Sequence, residues 1–589
     1  MASKKGEESE PCLFYAAIDF GTTHTGYAFI ERDKLSSTSP IQVEQKWQGG
    51  QDINIKAPSS CLFNKDKEFS SFGYEAQTHY NQLAFDRKER DWYYFKSFKM
   101  LLHYNNKLTK ESLIEDTNGK TMLAMDVFKG AIKYTADLIM EKIKQSYGKK
   151  VNIERIDWVI TVPAIWSDSA KQFMREASIE AGIPNKRLKL ALEPEAAAIF
   201  CKNQTVMGTT DIEAFNPGEK YIVVDMGGGT VDTAVHCVTN DGKLHEEHTS
   251  NGGPWGGKRI NDIFEKNIEQ VVGEQFLRMF KDKYKYAWTQ LEDAFEGNKR
   301  EFLNKEGLDT LLPISSKFGQ LYAETKNISL QEIFDNLYHG KFRFDKENDT
   351  LVISREKMQD YFNSILKEIE KHIDTLLNDV PGVKSILLVG GLANSKVVTD
   401  SITSTYPQLR VIVPKDAAFA ILRGALIYRW DPGIILNRIS PYTYGVDAME
   451  RFNPKRHPKE KIVKVNGRQM VKDTFQKHIA KGQNFSVGEE SKARLYRLNV
   501  EQGSKLVVWN IFRSDSPDPV FCDQCDCIGS ICVYIWKKDK PWRFSLSMQC
   551  IGTELQTVVK DADTGKELAQ CKVDFLVNDT ELSSDFISE

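Results

Sequence analysis

Cysteine is scarce in this chain, ten in 589 residues. That is too few for a disulfide scaffold, so reduced thiols and a cytoplasmic setting, with the nucleus also open, are the expectation. An excess of one charge is lacking too. Lys and Arg number 79 against 82 Asp and Glu, a net charge of −3, which gives no electrostatic case for nucleic acid or an anionic membrane as partner. No stretch approaches the roughly 20 consecutive apolar residues that span a bilayer. The opening Met1–Pro11 is polar and charged, without the apolar centre of a signal peptide. The histidines are scattered and suggest no catalytic triad. No low-complexity linker separates the parts, so packed junctions are expected rather than tethers.

What is present has the make-up of an ordinary globular protein, 41% hydrophobic and 27% charged. At about 150 residues per core, the length implies several lobes. Two short stretches stand out. Ile18-Asp19-Phe20-Gly21-Thr22-Thr23 and Val224-Asp225-Met226-Gly227-Gly228-Gly229-Thr230-Val231-Asp232 are each an apolar run ending in Asp, followed by a turn of glycines and hydroxyls. An Asp at a strand end holds a carboxylate where a hydrated divalent cation can sit. Glycines let backbone N–H groups approach phosphate oxygens. Two such hairpins suggest a duplicated fold closing on one nucleotide from both sides.

The pattern around them divides the chain. Residues 1–12 read as a tail. From 13 to about 431, strands and helices alternate as in layered α/β lobes, one about 13–205 and the other about 206–431. Ile156–Val162 reads as a strand closed by Pro163. Ser167 or Asp168 caps a helix with the stripe Ala170, Phe173, Met174, Ala177 and Ala181. Beyond Trp430-Asp431-Pro432, short segments rich in Val, Ile, Tyr and Phe predict a β-sandwich-like part over 432–577, with 578–589 a second tail.

On these motifs the chain resembles the actin-like (ribonuclease H-like) ATPase superfamily and, within it, the seventy-kilodalton heat-shock chaperones. Asp19 to Thr23 matches the family's first phosphate loop and Asp225 to Asp232 the second. Val159-Ile160-Thr161-Val162-Pro163-Ala164 and Leu192-Glu193-Pro194-Glu195 match its connecting segments. Glu296-Gly297-Asn298-Lys299-Arg300 matches the purine-edge helix, and Leu388-Val389-Gly390-Gly391 the adenosine-side turn. Gly26-Tyr27, Trp166 and Ser440–Gly445 are similar to the divergent 12A/12B-like branch.

The resemblance implies ATP or ADP with Mg²⁺ in a cleft between the lobes, in a stress-response protein of chaperone type. Gly21, Thr22, Thr23, His24 and Gly227, Gly228, Gly229 and Thr230 would contact the phosphates. Asp19 and Asp225 would hold Mg²⁺ through water, which that ion sheds reluctantly. Glu193, Asp232 and Thr230 would orient water and γ-phosphate, while a lysine stabilises the transferring group. Position matching makes that Lys99, with Lys96 as runner-up. Gly256 and Gly257 would border ribose and phosphates, and Glu296, Lys299, Arg300, Gly390, Gly391 and Asn394 the adenosine. The surrounding Gly252–Arg259 mimics a Walker A loop but has Arg259 where Ser or Thr would bind Mg²⁺.

There are departures. His24 replaces the family's tyrosine, and Leu392 and Asn394 replace a hydroxyl and an arginine beside the adenine. The C-terminal part is too short for a sandwich and a full helical lid. The expected function is therefore a slow Mg²⁺-dependent ATPase whose closure switches the binding of a protein client or signalling partner. A non-hydrolysing nucleotide-sensing scaffold and a small-molecule kinase of the same fold are the alternatives. Cys522, Cys525, Cys527 and Cys532 lie within eleven residues. They are either zinc ligands, a redox-sensitive loop or part of a plain hairpin.

Overall fold

The computed structural model describes residues 11–588 apart from 36–41, 44–46, 48–55, 106–107, 149–150, 207–214, 303–306, 327, 415–416, 466, 499–504, 536–541, 552–553, 573–574 and 577–585. Residues 1–10 and 578–585 of the expected tails, and Lys415 and Asp416, lie outside the described residues.

Two sheets dominate the first 430 residues. One runs in the order Leu188–Leu192, Ile156–Val162, Phe14–Phe20, His24–Glu31, Gln42–Val43. The other runs Arg410–Ile412, Val383–Val389, Lys220–Met226, Val231–Val238, Leu244–Gly253. In each, the strand carrying the loop aspartate pairs antiparallel with its hairpin partner and parallel with the strand on its other side. Such strands are buried on both faces, so their residues read as continuous apolar runs. Phe14, Ala16, Ile18 and Phe20 face an outer core, while Tyr15 and Ala17 face a central one. Ile222, Val224 and Met226 face a second outer core, and Tyr221 and Val223 share the central one.

Helices Glu193–Val206 and Ala417–Trp430 form the central layer between the sheets. They cross so closely that a β-carbon on Gly424 would collide with the backbone of Ala196, which only glycine avoids. Ser167 caps the helix Asp168–Glu180 by accepting from the Ala170 amide at 3.2 Å.

After Trp430, no α-helix occurs among the described residues. Leu436 donates its amide to Leu244 O at 2.9 Å, so the apolar 433–436 segment lies along the edge strand Leu244–Gly253. Ten strands then form a continuous sheet, and Val446, Trp509 and Ile531 share one core with Phe544, Leu546 and Val559.

Two tail readings need correction. Cys12 is buried with Tyr15 and Ala17, so the core begins one residue early. Phe586–Ser588 is a strand between Thr443–Arg451 and Arg494–Leu498, pairing with the first at Met449 and with the second along Tyr496–Leu498. Three residues carry no alternation for a sequence reading to detect.

The C-terminal strands are held to the first part by a bidentate ion pair, Arg175 with Glu554, both contacts at 2.5 Å and both side chains largely buried. Tyr444 donates its hydroxyl to Asp168 at 2.9 Å, and the Phe575 amide donates to Gln172 at 2.6 Å. Removing one charge of a buried pair leaves the other uncompensated, at a cost of about 3 kcal/mol. Glu554→Gln, which keeps the shape, is expected to lower stability by that order and to speed proteolytic release of the C-terminal strands. Unchanged cleavage kinetics would show that this pair does not hold the junction.

Candidate functional site

The two glycine loops meet. A β-carbon on Gly229 would lie 2.5 Å from Thr22 Oγ1, and one on Gly228 would overlap the Thr23 side chain. Each loop thus presses on the hydroxyl pair of the other. Among the described residues, no acceptor takes the amides of Thr22, Thr23, Gly228 or Gly229. Gly227, by contrast, spends its amide on Thr230 O at 3.0 Å. The first loop is braced by Ser59, which donates its hydroxyl to Gly21 O at 2.6 Å and its amide to Thr23 O at 2.8 Å. The Walker-like segment braces the second. The amides of Gly256, Gly257 and Lys258 donate to Gly229, Gly227 and Gly228 carbonyls at 3.2, 3.1 and 2.7 Å. Those donors are consumed by protein, so Gly256 and Gly257 border the second loop without offering their amides to a phosphate.

Beneath the loops, four carboxylates converge. Asp19, Glu193, Asp225 and Asp232 are all buried, and the charges of Glu193, Asp232 and Asp19 each raise the pKa of Asp225. Two buried or half-buried lysines answer them. Lys99 donates to Glu193 at 2.7 Å and lies 5.1 Å from the centre of the Trp166 ring. Lys56 is ion-paired with Asp19, whose other oxygen accepts from Thr161 at 2.9 Å. Burial raises the Asp19 carboxyl, but Lys56 outweighs it and holds the pKa below the ordinary value. Burial takes Glu193 the other way, to about 7 despite Lys99. Asp232 accepts from Thr230 Oγ1 at 2.8 Å and from the Ile165 amide at 3.1 Å, and burial still raises it. Asp225 is the outlier. Among the described residues its Oδ1 has no hydrogen-bond partner, and burial with three neighbouring carboxylates pushes its pKa far above the usual range. Gly390, at φ +86°, closes the space behind it.

The residues expected on the adenosine side gather at one end. Lys299 donates to Glu296 at 2.6 Å, to Asn261 at 2.8 Å and to Gly257 O at 3.1 Å. Arg300 donates to Glu296 at 3.0 Å and to His24 Nε2 at 2.9 Å, while His24 Nδ1 reaches Thr23 Oγ1 at 3.1 Å. The arginine donor leaves Nε2 as acceptor, so Nδ1 carries the proton. Burial and Arg300 together depress His24 to about 3, and it stays neutral. Gly391 and Asn394 are exposed on the turn after Val389. Lys96, the alternative lysine, is outside the cluster and donates to Glu292 across the rim at 2.6 Å. Gln77 and Arg90 likewise reach Asp293 and Asp282, at 3.1 and 3.0 Å.

The structure does not bring the four C-terminal thiols together. Cys522 and Cys525 share a short turn, but Cys527 and Cys532 lie along one strand, where five residues span about 17 Å. Among the described residues, no group of three His, Cys, Asp or Glu side chains could ligate a metal directly. Sequence reasoning missed Lys56 and Ser59. Both sit on or beside a two-residue strand, Ala57–Pro58, too short to give a periodic signal.

The human heat shock 70 kDa protein 12B is 32% identical over 635 aligned positions, covering 95% of this chain and 91% of that protein. The human heat shock 70 kDa protein 12A is 31% identical, over 87% of this chain and 83% of its own length. This chain belongs to the 12A/12B branch of the seventy-kilodalton heat-shock family. More distantly, the chaperone protein DnaK of Stenotrophomonas maltophilia is 24% identical over 65% of the chain and 56% of that protein. A family profile described as "Domain of unknown function (DUF8340)" matches residues 216–382. That stretch runs from just before the second glycine loop, through the Glu296–Arg300 helix, to the strand before Gly390. Membership of the heat-shock family agrees with the mixed α/β architecture, and among the described residues no helix is long and apolar enough to cross a membrane.

Proposed function

We propose that this chain binds ATP between its two sheets, as two lobes of an actin-like fold at about 13–205 and 206–431, and hydrolyses it slowly. Nucleotide state would then alter lobe closure and the protein-binding behaviour of a β-sandwich-like C-terminal domain. The observation that carries this reading is the pair of opposed glycine loops, with unspent amides above a four-carboxylate, two-lysine cluster. Opposed amides and hydroxyls suit the oxygens of a polyphosphate. An orphaned buried carboxylate oxygen on Asp225 suits a hydrated Mg²⁺, with Asp19 as its counterpart once Lys56 yields. When bound, Mg²⁺ neutralises phosphate charge and orients the terminal group.

The chain's own groups do the rest. Lys99 or Lys56 would meet charge growing on the γ-phosphate. Glu193, with a pKa of about 7, is suited to take the proton of the attacking water. Arg300 and Lys299 would shape the adenosine end, with His24 pulling Arg300 toward the phosphates. Calorimetric titration with ATP and ADP tests binding, and absence of heat for both would defeat the proposal. Phosphate release compared among wild type, Lys99→Ala and Asp225→Ala tests hydrolysis. A base must be unprotonated, so the rate is expected to rise as pH increases through about 7, and Glu193→Gln should abolish that rise.

A second reading, a nucleotide-sensing scaffold that does not hydrolyse, is favoured by one observation. Lys56 already neutralises Asp19, leaving the mirrored aspartates unequal. Tight ATP binding with phosphate release no faster than in Asp225→Ala would select it.

A further inference from the structure

A cavity of about 140 Å³ lies away from the glycine loops, where the Ala164–Asp168 turn, the strand Leu244–Gly253 and the Arg438–Tyr444 segment meet. Trp166, Tyr442, Tyr444, Phe485 and Leu555 give it aromatic and apolar walls. Its charged groups differ in how they are engaged. Asp168 accepts from the Tyr444 hydroxyl, Arg438 is ion-paired with Glu195, and Glu246 accepts from the Ile439 amide at 2.8 Å and Ser250 Oγ at 3.2 Å. Lys171 also lines the cavity; its charge acts on the Glu246 carboxyl, but among the described residues its ammonium makes no hydrogen bond or ion pair. An ammonium that makes no hydrogen bond, beside aromatic rings set edge to face, favours a ligand with the complementary pair of features.

We propose that this cavity binds a small monoanion carrying an aromatic ring, its carboxylate on Lys171 and its ring against Trp166 and the Tyr442–Tyr444 wall. The geometry also couples it to the nucleotide cleft. Trp166 has Lys99 over its ring, and the Ile165 amide on the same turn is bonded to Asp232. A ligand that fixes the turn therefore fixes the Asp232 and Lys99 contacts, and coupling of this kind is reciprocal.

The test is calorimetry on the full chain without nucleotide, so it does not depend on ATP binding. Indole-3-acetate is the probe, with tryptamine, which reverses the charge, as control. Indole-3-acetate should bind at least about tenfold more tightly than tryptamine, and Lys171→Gln should remove that preference. Thr249→Trp, on the wall of the cavity, should block binding while the melting temperature of both variants stays near that of wild type. No heat at millimolar probe, equal affinity for tryptamine, or full binding by Lys171→Gln would each overturn the site. Adding saturating indole-3-acetate to an ATP titration should shift nucleotide affinity at least about threefold. Binding of the probe with no such shift would overturn the coupling alone.

Discussion

Asp225→Asn is expected to melt at a higher temperature than the wild type without nucleotide, yet to lose ATP affinity by roughly 100-fold or more in the presence of Mg²⁺. The Asp225 carboxyl is buried, lacks a partner on Oδ1 and faces Glu193, Asp232 and Asp19. Its folded pKa lies above its unfolded one, so its cost to folding is absent below about pH 4 and grows as pH rises, when only the unfolded chain releases the proton. Asn carries no such proton. The gain should be about 2 kcal/mol at neutral pH and vanish near pH 4. Denaturant titrations of both proteins across pH 4–8 measure it. Equal stability at every pH would mean that Asp225 is solvated or paired, and would remove the case for a cation beside it. A function-bearing group that destabilises the empty protein is what a site built for a charged ligand requires.

Lys56→Ala is expected to destabilise the unliganded protein by about 3–5 kcal/mol at pH 7, and Lys99→Ala by clearly less. Both lysines end in ion pairs with buried carboxylates, but the partners differ. Asp19 is held below the ordinary pKa, so it remains charged and is stranded when Lys56 is removed. Glu193 already titrates near 7, so without Lys99 it takes a proton and sheds most of the penalty. The pH dependence separates the two. A depressed carboxyl stabilises above its unfolded pKa and loses that contribution as pH falls through the folded value, so the Lys56→Ala penalty should shrink below about pH 4. Chemical denaturation of the two variants at pH 7 and at a pH well below 4 decides it. The reverse ranking would show that Lys99–Glu193 is the charged pair and Lys56–Asp19 the dispensable one.

Much of the α/β part was legible because its signals are local. Ile156–Val162 and the Ser167 cap fall where the pattern places them. The two Asp-Gly loops were legible for the same reason, since a carboxylate at a strand end and a turn of glycines and hydroxyls sit within a few residues. Lys99 was placed by neighbouring residues, and it does reach Glu193. For the Cys522–Cys532 group the sequence left zinc, a redox-sensitive loop and a plain hairpin open, because spacing along a chain does not fix spacing in space; a hairpin strand holds Cys527 and Cys532 apart.

By itself, then, the sequence determined several of the buried strands, where the two Asp-Gly turns lie, and which family the motifs resemble. Tertiary structure alone decided which lysine neutralises which aspartate, that His24 is tied to Arg300 rather than left open, that Phe586–Ser588 joins a sheet, and that a cavity lined by Lys171 and Trp166 forms where the C-terminal strands meet the first part. Strand and turn signals arise from steric and burial preferences a few residues long. Partnerships of charge depend on sheet register and on how two sheets close across a shared helix layer, and those involve residues up to hundreds of positions apart.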